Sequence, residues 1–303
     1  MANFAIAATG TGGHVYPAYA LAQGLELRGD KVVWFGKVDG LESGYAKEHV
    51  ALAVSPVVGT KNKLMRVLGI LKVIPKVCLN LRGIDKVIVF GGYVSVPVGI
   101  AALIMRKELI IQEQNAFPGR ANRLLFPFAS KVFVGFNGAF RGNKVIVTGN
   151  PLRFSREWQK PRNILVLGGS LGSAKIYDVI LDCAKDVPEC SFRVVSGLVN
   201  SVEQKSLENV ELLEYCEDMD RLYSWADVVI SRAGALTISE SIEYGLPMLL
   251  VPLGTAADNH QEFNARAAHV ATTVLERDFS SLLVKRWLLG GPSSAVSRIL
   301  SKI

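Results

Sequence analysis

The segment Ser231-Arg-Ala-Gly-Ala-Leu-Thr-Ile-Ser-Glu240 decides the fold, because it joins an apolar strand to a helix through a glycine turn. Asp227–Ile230, just before it, is β-branched and apolar, as a buried parallel strand is. Gly234 permits the tight turn, and Gly245 ends the helix that begins near Leu236. The N–H groups at the start of this helix would face the carboxyl end of the sheet, where an anion such as a diphosphate binds.

Thr237 and Glu240, three residues apart in this helix, admit two interpretations. The spacing fits a capping box, in which Glu240 would only satisfy backbone N–H groups. A carboxylate at this edge of a sheet could equally contact a ligand, and the spacing alone leaves both possibilities open.

Length and composition predict two domains of ordinary size with a large core, since the chain has 303 residues, half of them hydrophobic and a fifth charged. The four cysteines form no C-x-x-C pair and no cluster with histidine. This pattern argues against a zinc site or a disulfide framework and suits a reducing cytoplasm. The apolar run at the N-terminus is too short for a signal peptide.

Charge is unevenly distributed along the chain. Residues 1–150 hold 18 Lys/Arg against 8 Asp/Glu, a balance of +10, whereas residues 151–303 hold 16 against 19, a balance of −3. This asymmetry predicts an anionic partner for the first half, which could be a membrane, a nucleic acid or a charged substrate.

One uncharged run, Val87–Met105, has the length of a transmembrane helix. It contains Gly91, Gly92 and Pro97, which interrupt a membrane span. The run is better interpreted as a strand over Val87–Phe90, a glycine turn and a packed helix with Pro97 near its start.

The N-terminal residues repeat the strand–glycine turn–helix order. Phe4–Ala8 reads as a strand, the stretch from Thr9 to Pro17 as a glycine loop, and Ala18–Arg28 as a helix. The glycines do not fit G-x-G-x-x-G, so a dinucleotide fingerprint is weak. His14, inside this loop, could bond its own backbone or act as a general base, and its place at a strand's carboxyl end favours the base.

Residues 61–86 carry seven Lys or Arg residues and a single acid, Asp85. Leu64, Val67, Leu68 and Leu71 recur at helical spacing, and Pro75 interrupts or bends the segment. Such a basic amphipathic segment could lie on an anionic membrane surface or could simply cover the sheet as a surface helix.

The second half begins again after a polar linker at Ser155–Arg162, with the strand Asn163–Leu167 and the glycine loop Gly168–Gly172. We therefore predict an α/β protein of two domains with parallel sheets facing one interdomain cleft, where ligands bind at the strands' carboxyl ends. The domains are 1–154 and 155–303, with a final helix over about 293–303 that could pack back on the first domain.

Seven blocks of the sequence, in order over about 255 residues, resemble the MurG family of glycosyltransferases. The blocks are Gly10–Pro17, Gly91–Ser95, Glu113–Asn115, Gly149–Arg153, Gly168–Gly172, Ser231–Glu240 and Asp258–Asn264. The resemblance implies the GT-B architecture, in which two Rossmann-like domains with parallel sheets face a deep interdomain cleft. It also implies a peripheral enzyme on the cytoplasmic face of the cell membrane. It also implies transfer of N-acetylglucosamine (GlcNAc) from UDP-GlcNAc to lipid I, the undecaprenyl-pyrophosphoryl-N-acetylmuramic acid peptide, which makes lipid II for peptidoglycan.

The resemblance also implies roles for individual residues. His14 is expected as the catalytic base. The donor UDP-GlcNAc is expected to contact Arg153, Ser170, Gly234, Ala235, Leu236, Thr237, Glu240, His260 and Gln261. The acceptor lipid I is expected to contact Thr11, Gly12, Gly13, Gly91, Gly92, Tyr93 and Asn115. No metal, other cofactor or nucleic acid is expected, and the basic segment 61–86 is expected to meet the anionic membrane.

Two positions depart from the family pattern. Gln112 stands where the family often has histidine, and His260-Gln261 replaces the glutamine pair of some relatives. Three rival functions remain at this stage: a UDP-sugar-dependent diacylglycerol glycosyltransferase of the same fold, an NAD(P)-dependent oxidoreductase, and a non-catalytic nucleotide- or lipid-binding protein. The chain lacks the glycine fingerprint that an NAD(P)-dependent oxidoreductase needs.

Overall fold

The computed structural model describes residues 1–37, 40–45, 48–52, 63–154, 158–169, 172–197, 207–254, 259–268 and 271–303. The chain divides into two compact units. Unit 1 comprises Met1–Ser155 and Ser294–Ile303, and unit 2 comprises Arg156–Ser293.

Unit 1 is built on a seven-stranded sheet in the order β3-β2-β1-β4-β5-β6-β7, and every recorded pairing is parallel. The strand order reverses between β1 and β4, so the loops after these two strands border the crevice at which such sheets bind ligands. The strands are β1 (Asn3–Ala7), β2 (Lys31–Gly36), β3 (His49–Ala51), β4 (Lys86–Val89), β5 (Glu108–Glu113), β6 (Lys131–Val134) and β7 (Val145–Val147).

Helices cover both faces of this sheet, which explains why its central strands are apolar throughout rather than alternating. One core cluster joins the sheet to α2 and α3, through residues such as Val77 and Val98. The opposite cluster joins it to α1 and α10, through Leu21 and Ile299. The helices of unit 1 are α1 (Gly12–Leu27), α2 (Lys63–Asn80), α3 (Ser95–Ile104), α4 (Arg120–Leu125) and, at the chain end, α10 (Ala295–Leu300).

Unit 2 repeats the same winding on a six-stranded parallel sheet in the order β10-β9-β8-β11-β12-β13. Its strand order reverses between β8 and β11, which places their loops at the corresponding crevice. The strands are β8 (Asn163–Leu167), β9 (Ser191–Val195), β10 (Val210–Leu213), β11 (Val228–Ser231), β12 (Met248–Leu250) and β13 (Thr272–Thr273). The helices are α5 (Ala174–Asp186), α6 (Met219–Trp225), α7 (Ala235–Glu243), α8 (His260–Ala267) and α9 (Ser281–Gly290).

The sequence prediction was wrong about where α1 begins. The helix starts at Gly12, with Thr11 as its N-cap, and Pro17 lies inside it rather than at its start. Proline at this depth removes one backbone hydrogen bond, but it is buried in unit 1. The predicted glycine loop is therefore largely the first turn and a half of a helix.

Two other ambiguities are resolved by the structure. The uncharged run Val87–Met105 folds as most of strand β4, a glycine turn and helix α3. The capping-box interpretation of Thr237 and Glu240 is wrong, because Gly234 is the N-cap of α7 and Thr237 lies within the helix.

The last helix, α10, packs in unit 1. Ile299 is fully buried in the cluster it shares with α1, and the Arg298 guanidinium donates through Nε and Nη2 to the Thr148 carbonyl oxygen at 2.9 and 2.6 Å. Burial lowers the pKa of Arg298. The chain thus leaves unit 1 after β7, builds unit 2 and returns to complete the core of unit 1.

Candidate functional site

His14 is the third residue of α1 and lines a cavity of about 560 Å³ at the carboxyl ends of the strands of unit 1. The first N–H groups of a helix have no partner within the helix, and the Thr11 side chain does not cap them. The cavity therefore combines a helix N-terminus, which favours an anion, with an imidazole. Its lining residues are Thr11, Gly12, Gly13, His14, Tyr16, Pro17, Gln114, Asn115, Phe136, Asn150, Pro151, Leu152, Arg153 and Phe154.

The Gly91-Gly92 turn after β4 packs directly against the loop after β1. Both glycines have a positive φ, +98° and +77°. A Cβ atom at Gly92 would lie 2.7 Å from the Thr9 carbonyl oxygen, and one at Gly91 would lie 3.1 Å from Cε1 of His14. Only glycine fits this approach. The structure thus brings the predicted acceptor residue Gly91 to His14, and Gly92 to the loop after β1.

The predicted base bonds a side chain and not its own backbone. The Nδ1 atom of His14 lies 2.8 Å from Oε1 of Gln114, which follows β5. The amide group of Gln114 donates in turn to Gln112, and Gln112 donates to Asn150 in the loop after β7 at 3.3 Å. Sequence reasoning missed Gln114 as the partner of His14 and missed Asn150 as the partner of Gln112, although Gln114 and Asn150 lie in the blocks that carry the family resemblance.

Asn115 is held at the mouth of this cavity by a buried carboxylate. Glu113 is fully buried, and its Oε1 accepts from the backbone N–H and the side-chain amide of Asn115 at 2.9 and 3.0 Å. Its Oε2 accepts from the Gly119 N–H and from Asn122, each at 2.9 Å. Four donors satisfy the charge without a cation, so Glu113 orders the loop between β5 and α4.

Arg153 and Tyr93 occupy different surroundings in unit 1. The Arg153 guanidinium carbon lies 3.5 Å from the centre of the Tyr16 ring, a cation–π arrangement on the wall of the His14 cavity. Tyr93 is half-buried and packs against the core cluster that joins the sheet to α2 and α3. The structure therefore brings Arg153, but not the Tyr93 ring, to the cavity wall.

Unit 2 has a second cavity, of about 350 Å³, at its own point of strand reversal. The N-terminus of α7 lines this cavity. Its N-cap residue, Gly234, has no side chain that could accept a hydrogen bond from the first N–H groups of the helix. The N–H groups of the first turn, at Ala235, Leu236 and Thr237, have no acceptor within the helix and are suited to a phosphate. The lining residues are Gly168, Gly169, Gly172, Arg232, Gly234, Ala235, Leu236, Thr237, Leu253 and Gln261.

A buried arginine, Arg232, lines this cavity and connects the loops around it. Arg232 is 8% exposed and donates to the Ser173 hydroxyl at 2.8 Å, to the Val251 carbonyl oxygen at 3.2 Å and to the Glu276 carboxylate. Because Ser173 caps α5, the arginine ties the loops after β8, β11 and β12 together. The sequence analysis did not assign a role to Arg232.

Glu240 projects from α7 toward a tyrosine. The Tyr223 hydroxyl donates to Oε2 of Glu240 at 2.8 Å, and the Tyr223 ring stacks on Tyr244 with centres 5.3 Å apart. Burial, followed by the bond to Glu240, raises the pKa of Tyr223. One carboxylate oxygen is thus oriented by a neutral phenol, and the other accepts no hydrogen bond from the described part of the chain.

Gln261, His260 and Ser170 are the remaining residues that the resemblance assigns to the donor site. Gln261 lines the cavity, and its Oε1 accepts from the Leu253 N–H at 2.9 Å. His260 is the first residue of α8 and is exposed. Ser170 lies outside the described residues, so its predicted phosphate contact stays a prediction.

The fold and these sites define a class of protein. Two Rossmann-type units, each with glycine turns and a helix N-terminus at its strand reversal, are the halves of a GT-B glycosyltransferase. The chain belongs to glycosyltransferase family 28: residues 4–134 match the family's N-terminal domain and residues 163–282 its C-terminal domain.

Curated relatives extend over most of the chain. A protein of Psychromonas ingrahamii is 34% identical over 93% of this chain and 87% of its own length. One of Pseudomonas syringae pv. tomato is 38% identical over 87% and 81%, respectively. Both are named UDP-N-acetylglucosamine--N-acetylmuramyl-(pentapeptide) pyrophosphoryl-undecaprenol N-acetylglucosamine transferase.

A solved structure is also similar to the chain. The crystal structure of Acinetobacter baumannii MurG is 27% identical and covers 98% of this chain and 92% of that one, with a TM-score of 0.47. Within the ranges that our structure describes, none of the helices has both the length and the apolar character needed to cross a membrane.

Proposed function

We propose that this protein transfers GlcNAc from UDP-GlcNAc to the 4-hydroxyl group of the N-acetylmuramic acid in lipid I, forming lipid II. The observation that carries the proposal is the 33–38% identity, over about nine-tenths of this chain, to relatives named for that transfer. The names of these relatives do not favour diacylglycerol as the acceptor.

The cavity of unit 2 supports the donor half of the proposal. A UDP diphosphate at the N-terminus of α7 would accept from backbone N–H groups and meet the positive end of the helix dipole. Glu240, oriented by Tyr223, would then accept from the ribose hydroxyl groups. In this proposal the growing charge of the leaving UDP is met by these N–H groups and by Arg153, and not by a metal ion.

The cavity of unit 1 supports the acceptor half. The N-terminus of α1 would bind the diphosphate of lipid I, with Gly91 and Gly92 allowing the lipid-linked substrate to approach the backbone. His14 would take the proton from the sugar hydroxyl as it attacks the anomeric carbon, and the C–O bond to UDP would break in the same step. A single displacement inverts the anomeric configuration, so an α-linked donor gives a β-linked product.

The membrane part of the proposal concerns the segment 61–86. In its described part, Leu71 and Leu79 on α2 are 55% and 58% exposed, and Lys72 and Lys76 are exposed beside them. Exposed leucines among lysines suit binding to an anionic bilayer surface. Replacing both lysines by glutamate should reduce co-sedimentation with phosphatidylglycerol vesicles, and equal binding of both proteins would contradict this role.

The reaction is tested by transfer of labelled GlcNAc from its UDP form to a lipid I analogue, with diacylglycerol offered in parallel. We expect label on lipid I only, and label on diacylglycerol alone would overturn the proposal. His14→Ala should lower turnover by about 10²–10⁴-fold while UDP binding persists. Gln23→Ala, on an exposed part of the same helix, is the matched control and should keep full activity.

A further inference from the structure

A continuous run of side-chain amides connects the loop after β7 to the imidazole of His14. Asn150, Gln112 and Gln114 form this run, which we term the amide relay. The contacts are Gln112 Nε2 to Asn150 Oδ1 at 3.3 Å, Gln114 Nε2 to Gln112 Oε1 at 2.5 Å, and His14 Nδ1 to Gln114 Oε1 at 2.8 Å. Gln112 is fully buried and Gln114 is 6% exposed, so water does not compete strongly for these groups.

The direction of the amide relay is determined by main-chain carbonyl groups, which can only accept. The Asn150 side-chain N–H donates to the Gln114 carbonyl oxygen at 3.0 Å, so its Oδ1 must face Gln112. The Gln114 side-chain N–H donates to the Gln112 carbonyl oxygen at 3.2 Å. Both N–H bonds of Gln114 are then used, one on the Gln112 carbonyl and one on Gln112 Oε1, and its own oxygen is left for His14.

This direction determines which nitrogen of His14 carries the proton. A carboxamide oxygen has no hydrogen to give, so the bond at 2.8 Å requires a hydrogen on Nδ1. A neutral imidazole has a single N–H, and its Nε2 therefore holds a lone pair. Within the described residues, Nε2 of His14 makes no hydrogen bond that would compete for that pair.

We propose that Gln114 is a positioning residue that holds His14 in the Nδ1–H tautomer, so that Nε2 is the atom that takes the acceptor proton. The inference rests on the proposed function, in which His14 is the base. A Cβ atom at Gly91 would lie 3.1 Å from Cε1 and 3.4 Å from Nδ1 of His14, so the Gly91 turn borders this edge of the ring. Gln112, at a position where the family often has histidine, relays this orientation through a group that does not titrate.

The tautomer can be observed directly by ¹⁵N NMR of the full chain labelled at the histidine rings. The sequence contains four histidines, and the signals lost in His14→Ala identify the ring of interest. We expect the neutral ring of the wild-type protein to be protonated at Nδ1 and unprotonated at Nε2. In Gln114→Met, which keeps length but cannot accept strongly, the Nε2–H form should become populated.

Turnover provides the second measurement. Gln114→Met should lower kcat by between about tenfold and 10⁴-fold, because part or all of the His14 population would then carry its proton on the wrong nitrogen. The KM for UDP-GlcNAc should be unchanged. Gln23→Met makes the same chemical change at an exposed site on α1 and should have no effect. Equal thermal unfolding temperatures for the variants exclude loss of folding as the cause.

The outcomes separate the two hypotheses. A wild-type ring protonated at Nε2, or a Gln114→Met ring with an unchanged tautomer, overturns the positioning role whatever the activity is. Turnover of Gln114→Met within twofold of the wild type overturns it as well. If His14→Ala loses less than tenfold in turnover, His14 is not the base, and the proposed mechanism fails even where the Nδ1–H tautomer is observed.

Discussion

Replacing Tyr223 by phenylalanine removes one hydroxyl group and leaves the ring, its stacking on Tyr244 and the backbone in place. The lost bond is the one that Tyr223 donates to Glu240 at 2.8 Å. A hydrogen bond to a charged group contributes about 1.5–3 kcal/mol. Because Glu240 is half-buried and water can replace the donor, we expect the lower limit, about 1.5 kcal/mol. For a unit of this size that corresponds to roughly 3–8 °C in the unfolding temperature.

The same substitution should act on the donor site and on the pH dependence. In the proposed function Glu240 binds the ribose, and without the Tyr223 hydroxyl its carboxylate is less well oriented, so we expect the KM for UDP-GlcNAc to rise while that for lipid I stays unchanged. Since the pKa of Tyr223 is raised in the folded protein, its phenol stabilises the fold fully below its ordinary pKa of about 10. That contribution is lost as pH rises above 10 toward the folded-state value, and the variant should lack this alkaline loss.

The assay is thermal unfolding at pH 7 and pH 10.5, combined with initial rates at varied UDP-GlcNAc. Tyr244→Phe is the matched control, because it belongs to the same ring stack but its hydroxyl bonds the surface carboxylate of Asp220. A Tyr223→Phe protein with the unfolding temperature and KM of the wild type would refute the argument that this hydroxyl orients Glu240.

Two more predictions concern unit 1. Gly92→Ala should destabilise the protein by more than the cost of a positive φ alone, about 1–2 kcal/mol, because its Cβ would meet the Thr9 carbonyl oxygen. Gly138→Ala, which is also at a positive φ but in open space, measures the cost of the positive φ alone in urea unfolding. Equal losses of stability in the two variants would contradict the clash. Ile299→Ala should lower the free energy of unfolding by about 2–5 kcal/mol through a cavity under α1, whereas Ser301→Ala, at the exposed C-cap of α10, should be neutral. A small loss at Ile299 would show that α10 contributes little to the core.

Local patterns in the sequence predicted most of the secondary structure of both units. The apolar runs, glycine turns and helix stops around β11 and α7 are signals that lie within a few residues of each other. The start of α1 was mispredicted because Pro17 is usually a helix-start residue, and here burial in unit 1 outweighs the lost backbone bond. Local propensity gives way to packing at such positions.

Both cavities are lined by residues that the sequence analysis named, but the contacts between their side chains were not predicted, and Tyr93 packs away from the cavity of unit 1. The resemblance selected His14 and Glu240, yet their partners Gln114 and Tyr223 stand 100 and 17 positions away in sequence. Hydrogen bonds across strands depend on sheet order and side-chain direction, which no spacing rule in a single sequence encodes. Arg232 was overlooked for the same reason, since its role depends on loops that follow three different strands.

The return of α10 to unit 1 affects how the protein can be made. During synthesis, residues 1–155 leave the ribosome first, but the surface of unit 1 that α10 covers stays open until Ser294–Ile303 have followed. In a chain that lacks α10, the core cluster that contains Ile299 would be open on one side. The helix α10 thus makes synthesis of residues 294–303 a condition for completion of the unit that is made first.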